Sequence, residues 1–524
     1  MQLDKPQRPG LNDTGYHRVN ETSAMTASTP APVALHIAAN DDVAIALADL
    51  EAGSSHEVGS HRVVLVDAVA RGHKFAVRTL AAGASVHKYG FPIGQARAPI
   101  AAGEWVHSHN LETCLAGAGE YRYVPSAPPV ASADGLREYL GYRRADGRVG
   151  TRNEIWILCT VGCVANTARR IAERAQARFG DRVDGIHALT HPFGCSQLGD
   201  DLDNTQRVLA ALARHPNTGG VLIVGLGCES LQMQRLLGAV GAIDPARLRT
   251  FNAQQSRDET EDGIAAVGEL VEIAARDRRT PCPLSTLAIG LKCGGSDGFS
   301  GITANPLVGR IADRVAAAHG TPILTEIPEI FGAEHLLMAR ARDREVFDGI
   351  VGVVNDFKRY FLDHGQPVSE NPSPGNVAGG ITTLEEKSLG AVQKGGHATV
   401  TQVLRYGEQA HGEGLALLEA PGNDAVSSTA LVAAGATVLL FTTGRGTPLG
   451  FPVPTLKIAS NSALAAAKPN WIDFDAGRVL VDGDVDAAAS ELLDLVIATA
   501  SGQPARNEIN GEREIAIWKN GVTL

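Results

Sequence analysis

A chain of 524 residues exceeds what one ordinary hydrophobic core serves, so its length predicts roughly two or three domains. Hydrophobic residues at 44% and charged residues at 20% describe a globular protein, and a formal net charge of -11 argues against a nucleic-acid or anionic-membrane partner. An anionic substrate must then find its positive charge locally, on a metal, on a few Lys or Arg side chains or on loop amides.

The sequence shows neither a bilayer-spanning apolar run nor a signal-peptide core. Its seven cysteines are an odd number, several of them in Gly-rich loops, which argues against a disulfide scaffold and for a reducing cytoplasm. With 58 glycines and only 5% aromatics, the composition suits an α/β protein with many tight strand-to-helix loops.

Residues 1–32 are polar and rich in Ser, Thr, Asn and Pro, the composition of a disordered tail, within which Met25 is an alternative start. Residues 33–124 predict a small β domain. His61-Arg-Val-Val-Leu-Val-Asp67 alternates in part, and Gly53, Gly72, Gly83, Gly90, Gly94 and Gly103 punctuate short strands at the spacing of a compact barrel-like module. Pro125-Ser-Ala-Pro-Pro-Val-Ala-Ser-Ala-Asp134 marks an interdomain linker over residues 125–138.

Residues 139–524 alternate apolar strands with amphipathic helices. Ile155–Val161 precedes a helix near Asn166–Phe179, Val221–Val224 one near Leu231–Val240, and Leu287–Leu291 one near Asn305–Ala318. Leu415–Leu418 and Val438–Phe441 are further strands. Runs apolar on both faces predict a mostly parallel arrangement covered by helices, an α/β class.

Polar clusters fall just after these strands. They include Cys159-Thr-Val-Gly-Cys-Val-Ala-Asn166, His191-Pro-Phe-Gly-Cys-Ser-Gln197 after Gly185–Leu189, and Gly225-Leu-Gly-Cys-Glu229. Later ones are Lys292-Cys-Gly-Gly-Ser-Asp-Gly-Phe-Ser-Gly301, Glu326-Ile-Pro-Glu329 and Thr442-Thr-Gly-Arg-Gly-Thr-Pro448. Open α/β sheets bind ligands at the carboxyl ends of their strands, so these loops can converge on one cavity. The pattern predicts an enzyme. Ser230 stands where a dinucleotide fingerprint needs its third glycine, and no Walker A string occurs, so nucleotide binding is not expected.

Cys163, Cys195, Cys228 and Cys293 each follow a strand. A Cys there is either a small residue packed under a turn or a thiolate ligand for iron or a cluster, and none shows the close spacing of a common cluster motif. His107 and His109 in Val106-His-Ser-His-Asn110 would point one way on a strand and together could bind a divalent metal; otherwise they are surface histidines, as His73 is if it is no ligand. His191 is a candidate base or ligand. The Gly294–Gly301 loop is either an anion-binding nest or a turn before a helix. Asn371-Pro-Ser-Pro-Gly-Asn376 leads to Glu385-Glu-Lys-Ser388; it is an ordinary capped connection or a rigid polar loop suited to a polyhydroxy ligand.

Together these strings resemble the altronate/galactarate dehydratase family. The matching segments are Asp42–Ala46, Arg71-Gly-His-Lys74, Lys88-Tyr-Gly-Phe-Pro-Ile-Gly94, Gly225–Glu229, Lys292–Pro306, Glu329-Ile-Phe-Gly-Ala-Glu334, Asn371–Glu386 and Gly444-Arg-Gly-Thr-Pro448. The resemblance implies an N-terminal SAF-type (β-clip) domain, a large multi-lobed catalytic α/β region and a requirement for Fe2+ or another divalent metal. Val106–Asn110 and Tyr89–Gly94 look more like the altronate branch than the galactarate branch. Asp41-Asp42, where the family usually has Asp-Asn, and Ile327 before Pro328 are departures that bear on substrate preference.

The implied reaction removes water from D-altronate to leave 2-keto-3-deoxy-D-gluconate. Galactarate or another sugar acid, or a sulfolactate-type sulfo-lyase reaction, is the alternative, and a sugar-acid-sensing module is a different class again. Residue type and loop position assign the metal to His73, His107, His109, Cys195 and His191, with an iron–sulfur cluster as a second form of iron. Glu229, Glu326, Lys387 or His191 is acid or base. Lys292 and Arg445 hold the carboxylate, while Ser296, Asp297, Asn371, Ser373 and Asn376 contact hydroxyls. A homodimer is expected for an enzyme of this size.

Overall fold

The structure, a computed structural model, describes residues 32–126 and 137–524. Most of the expected tail and linker lies outside the described residues.

Between Ala34 and Glu112 the chain forms short antiparallel strands. Ala34–Leu35, Val43–Ala46, Lys74–Ala76 and Trp105–Val106 make a four-stranded sheet, Ser85–Lys88, Phe91–Ala96 and Leu111–Glu112 a three-stranded one, and Ser55–Val58 pairs with His61–Val64. Strands this short hold because their inward side chains, among them Ala44, Val63 and Phe75, are almost sealed from solvent. At Gly103 φ is +89°, and an added Cβ would lie 2.0 Å from the Val64 carbonyl, so only glycine permits that crossing.

The rest of the chain contains two parallel sheets. β1 (Glu154–Cys159), β2 (Gly185–Leu189), β3 (Thr218–Gly225) and β4 (Leu248–Asn252) lie in the order β2-β1-β3-β4. Helices α1 (Ala165–Phe179), α2 (Gly199–Ala213), α3 (Met233–Val240) and α4 (Glu259–Ala274) cover them. Ile155 and Ile157 pack with α1 and α4, whereas Trp156 and Leu158 pack with α2 and α3. Side chains alternate between faces that are both buried, which is why these strands are apolar throughout.

β5 (Ala288–Cys293), β6 (Thr321–Leu324), β7 (Val400–Leu404), β8 (Leu415–Leu418), β9 (Val438–Thr443), β10 (Thr455–Ala459) and β11 (Phe474–Asp475) build a seven-stranded parallel sheet, in the order β7-β8-β6-β5-β9-β10-β11. Its helices include α5 (Ala304–Ala317), α6 (Arg344–Asp363), α7 (Leu384–Ala391), α8 (Asp424–Ala433) and α9 (Val485–Ala500). β6 has only four residues, one of them proline, and carries no periodicity to read; pairing with β5 and β8 makes it a strand. Trp156 and Leu158 of the smaller sheet share one apolar cluster with Leu431 and Phe441 of the larger, and α2 and α8 contribute to it.

The chain leaves β5 for β6 on one side and later enters β9 on the other, so the carboxyl ends of β5 and β9 form a topological switch point. β1 and β3 form a second one in the smaller sheet. No helix among the described residues is long and apolar enough to cross a membrane.

Candidate active site

At the switch point of the larger sheet lies a cavity of about 400 Å³, lined by Cys293, Ser296, Glu329, Lys387, Asp424 and the Asn371–Asn376 loop. The volume falls within the range of small-molecule sites, about 300–1,000 Å³. A hollow of about 450 Å³ sits at the opposite ends of the same strands, beside Ala288, Thr321 and Thr437. Open α/β sheets place ligands at carboxyl ends, which favours the former.

A buried charge network underlies the cavity. Lys292, at the end of β5, directs its Nζ to Glu326, to Asp424 Oδ1 (2.9 Å) and to the Cys293 carbonyl (2.7 Å). Lys394 Nζ lies 2.7 Å from Cys293 Sγ and 3.1 Å from Glu326 Oε2. Glu326 follows β6 with a left-handed backbone, φ +72°. Such strain costs roughly 1–3 kcal/mol and persists only where surroundings impose it. Here two ammonium groups and the Cys293 N–H (3.1 Å) hold the carboxylate.

The electrostatics follow from this pairing. Burial alone would lower Lys292, but Glu326, Asp424 and Glu329 hold it above the ordinary lysine range. Burial, then Glu326, push the Cys293 thiol up to about 12. Burial likewise opposes ionisation of Glu329, yet Lys387, Lys292 and Lys394 bring it down to about 2.

On the other wall, Lys387 Nζ donates to Glu329 Oε1 (2.8 Å), Asn371 Oδ1 (3.0 Å) and Asn376 Oδ1 (3.1 Å). Asn376 also accepts from Ser373 Oγ (2.8 Å) and donates to the Ser296 carbonyl (2.8 Å), so it shapes the loop. The N-terminal domain positions Lys387 from behind. Its Lys74 and Lys88 grip the neighbouring Glu386 at 2.8 and 2.7 Å, and its Thr113 and Cys114 N–H bond Glu385 at 2.9 and 2.7 Å. The two lysines hold the Glu386 carboxyl well below its ordinary range against the effect of burial.

Of the residues expected from the sequence, Lys387, Ser296, Asn371, Ser373 and Asn376 line the cavity. Lys292 and Glu326 lie beneath it. An ammonium has three donors, and all three of Lys292's have protein partners, so it cannot also grip a substrate carboxylate. Asp297 is not a hydroxyl reader either. Its Oδ1 accepts from the Phe299 and Ser300 N–H groups (3.1 and 2.9 Å) and from Ser460 Oγ (2.8 Å), and its Oδ2 from Asn461 (3.0 Å). Arg445 is exposed and its N–H bonds the Gly295 carbonyl (3.0 Å); its guanidinium has no partner among the described residues.

His191 and Glu229 serve the smaller sheet instead. His191 donates from Nε2 to the Cys159 carbonyl (2.9 Å) and accepts the Phe193 N–H at Nδ1 (3.1 Å), so neither nitrogen is left for proton transfer. Burial lowers the ring's pKa from the ordinary imidazole value, against the bond to the Cys159 carbonyl. Glu229 accepts from Thr160 Oγ1, from the Leu226 N–H (3.0 Å) and from the Gly227 N–H (2.6 Å).

Part of the expected metal set comes together, the His73 and His107 rings stacking at 5.5 Å with His109 against the same Trp105 as His107, while Cys195 and His191 lie on the smaller sheet. His107 begins a turn, its N–H bonding Asn110 Oδ1 (2.9 Å), so the alternation of an extended strand does not apply to His107 and His109. His107 Nε2 is spent on the Val377 carbonyl (3.1 Å), His73 accepts from Trp105 Nε1 (3.3 Å), His109 packs on Trp105, and Cys195 is exposed on the β2 loop. Among the described residues, the group with ligand atoms within 4.8 Å of one another is Cys293, Glu326 and Glu329.

Lys394 and Asp424 are functional positions that sequence reasoning missed. Lys394 sits in a short turn after α7 with no local signature. Asp424 follows Asn423, whose side chain caps α8 through the Ala425 and Val426 N–H groups (both 3.1 Å), so it reads as part of an ordinary helix start. The one available signal was its place after the apolar β8.

A strand-end cavity presenting an ammonium, carboxylates and hydroxyls defines an enzyme that moves protons on a small polar substrate. Residues 32–114 match the altronate/galactarate dehydratase SAF domain, residues 141–275 the D-galactarate dehydratase/altronate hydrolase second domain, and residues 284–523 the D-galactarate/altronate dehydratase C-terminal domain. The chain is 52% identical to the altronate dehydratase of Escherichia coli (strain K12), over 94% of its own length and 99% of the relative's. It is 49% identical to the altronate dehydratase of Bacillus subtilis (strain 168), over 92% and 98%. Identity to the galactarate dehydratase (L-threo-forming) of E. coli K12 is 33%, over 91% and 94%. The chain belongs to the altronate/galactarate dehydratase family of hydro-lyases.

Proposed function

We propose that this chain dehydrates D-altronate to 2-keto-3-deoxy-D-gluconate. The near-full-length likeness to altronate dehydratases of two bacteria carries the reading, since the galactarate relative is clearly more distant. A cytoplasmic location accords with the seven free cysteines, and a homodimer is the commonest assembly for such an enzyme.

Dehydrating a 2,3-dihydroxy acid takes the C2 proton and expels the C3 hydroxyl. The proton is weakly acidic because the adjacent carboxylate poorly delocalises further negative charge. Cys293, Glu326 and Glu329 offer one thiol and two carboxylates, close together and enclosed, but Lys394, Lys292 and Lys387 already engage them. Ferrous iron or a similar divalent ion would be held there only by displacing the Lys394 ammonium and the thiol proton. Such an ion, held there, supplies Lewis acidity toward the substrate's carboxylate and hydroxyl.

The chain's own residues do the rest. The unpartnered Arg445 guanidinium pairs with the substrate carboxylate. Asp424 keeps Oδ1 on Lys292 and leaves Oδ2 without a donor among the described residues, so Oδ2 accepts the C2 proton. Lys387, whose three donors go to Glu329, Asn371 and Asn376, hands a proton to the departing hydroxide once that hydroxyl takes the place of Asn371 at the cavity wall. Ser296, Ser373 and Asn371 meet the remaining hydroxyls along the cavity wall.

Anaerobic turnover of D-altronate with added ferrous iron tests this, with galactarate in parallel. Formation of the 2-keto-3-deoxy acid from altronate, abolished by a chelator, is expected. Turnover of galactarate alone would overturn the substrate; no product from either acid would overturn the dehydratase reading and turn attention to sulfite release from sulfolactate.

A further inference from the structure

Cys163, Cys195 and Cys228 stand on the loops that follow β1, β2 and β3, three adjacent strands of the smaller sheet. The loops interlock. The Gly162 N–H donates to the Phe193 carbonyl (2.8 Å), the Leu231 N–H to the Gly194 carbonyl (3.0 Å) and the Ser196 N–H to Ser230 Oγ (3.1 Å). Each cysteine adjoins one of these junctions or lies two residues from it. The three loops that carry these cysteines are thus tied together at the carboxyl edge, around the switch point between β1 and β3, where open α/β sheets hold ligands.

Free cysteine is among the most buried residue types, and Cys159, Cys282 and Cys293 conform. Cys163, Cys195 and Cys228 are all exposed. Ser196, directly after Cys195, has φ +58°, left-handed backbone in a residue that is not glycine, of the kind retained at ligand clamps. Protein groups scarcely engage the thiols: Cys195 Sγ is 3.8 Å from Ser196 Oγ, Cys228 Sγ receives Gln254 Nε2 at 3.4 Å, and Cys163 has no side-chain bond among the described residues. The nearby His191 and Glu229 are spent on their own loops, so neither competes as a ligand.

We propose that Cys163, Cys195 and Cys228 together ligate a [4Fe–4S] cluster, leaving one iron without a protein thiolate. Soft thiolates select this kind of group, and a site assembled from three separate loops needs no short-spaced motif. Each thiol releases its proton to solvent as its sulfur–iron bond forms. Equal parts of ferrous and ferric iron with sulfide make the cluster without net electron transfer. The site is distinct from the buried Cys293 and does not rest on the proposed altronate chemistry.

Anaerobic reconstitution of the full chain with ferrous and ferric iron and sulfide tests the assignment. About four iron and about four acid-labile sulfide per chain are expected, with broad visible sulfur-to-iron absorption. C163S, C195S and C228S should each lose that absorption, whereas C114S, at an exposed cysteine elsewhere, keeps it. Mild oxidation should give the paramagnetic signal of a cluster one iron short. In the wild-type chain, which needs no variant to fold, loading should protect the three thiols, but not Cys114, from alkylation followed by peptide mass. Iron uptake without sulfide, absorption indifferent to the three substitutions, or equal alkylation of loaded and unloaded protein would each overturn the proposal.

Discussion

Lys394 Nζ lies 2.7 Å from Cys293 Sγ and 3.1 Å from Glu326 Oε2, so a lysine from the turn after α7 closes the charge network at the end of β5. All three side chains are enclosed. Removing one partner of a buried ion pair leaves the other charge uncompensated, at about 3–5 kcal/mol. K394M should therefore lower the unfolding free energy by that order, seen as a lower urea midpoint at unchanged slope. An unchanged midpoint would mean that Lys292 alone neutralises Glu326.

Asp424 is the exposed end of the same network, with 37% of its side chain accessible. D424N preserves size and the link to Lys292 while removing the basic oxygen. Turnover should fall by about 10²–10⁴-fold, the range for a lost general base, with KM little changed and the fold intact. A variant turning over at the wild-type rate would shift the role to another carboxylate.

Arg445 offers the opposite separation. It is exposed and pairs with no side chain among the described residues, so R445A should leave stability within about 0.5 kcal/mol. Losing one charge-assisted contact, about 1.5–3 kcal/mol, should raise KM for altronate roughly 10- to 100-fold. Equal kinetics in the two proteins would remove Arg445 from the site.

His191 should behave as a structural residue. Substituting alanine abandons the Cys159 carbonyl and the Phe193 N–H in a buried place, costing about 1–3 kcal/mol for each group left unsatisfied. H191A should unfold at lower temperature while turnover per folded molecule remains near normal. A selective loss of turnover without loss of stability would reinstate it as a base.

Glu154, enclosed in β1, supplies a pH dependence. Burial would raise its pKa, but Arg513 (3.1 Å), then His187 and Trp156 Nε1–H (2.8 Å), bring it from 4.5 down to about 2. A depressed carboxylate stabilises the fold above its unfolded value and loses that contribution as pH falls through the folded one. Some 3 kcal/mol should vanish between about pH 4.5 and pH 2. E154Q should be weaker at neutral pH and should lose less on acidification. Parallel stability curves for the two proteins would exclude this source of acid sensitivity.

Much of the architecture was visible in local pattern. Apolar runs such as Leu415–Leu418 and Ile155–Cys159 announce strands buried on both faces, and glycine spacing announces the short-stranded N-terminal domain. Short pieces escaped. Thr321-Pro-Ile-Leu324 holds too few residues for periodicity and becomes a strand only between two others.

The site divides in the same way. Polar strings after strands point to a cavity at strand ends, and Lys387, Ser296, Asn371, Ser373 and Asn376 are found there. Residue type could not tell a free side chain from a spent one: Lys292, Asp297, His191 and Glu229 all look reactive in sequence, and in the fold their polar atoms are taken.

The sequence by itself determined the family, the α/β class, the N-terminal β domain and the end of the strands at which chemistry belongs, because hydrophobic periodicity and turn residues act over a few positions. Only the tertiary structure decided which charges meet. Lys394, Glu326 and Cys293 lie far apart in the chain, and so do Cys163, Cys195 and Cys228. What brings each set together is the parallel alignment of separate strands within its own sheet, with the turn after α7 delivering Lys394 to the larger one.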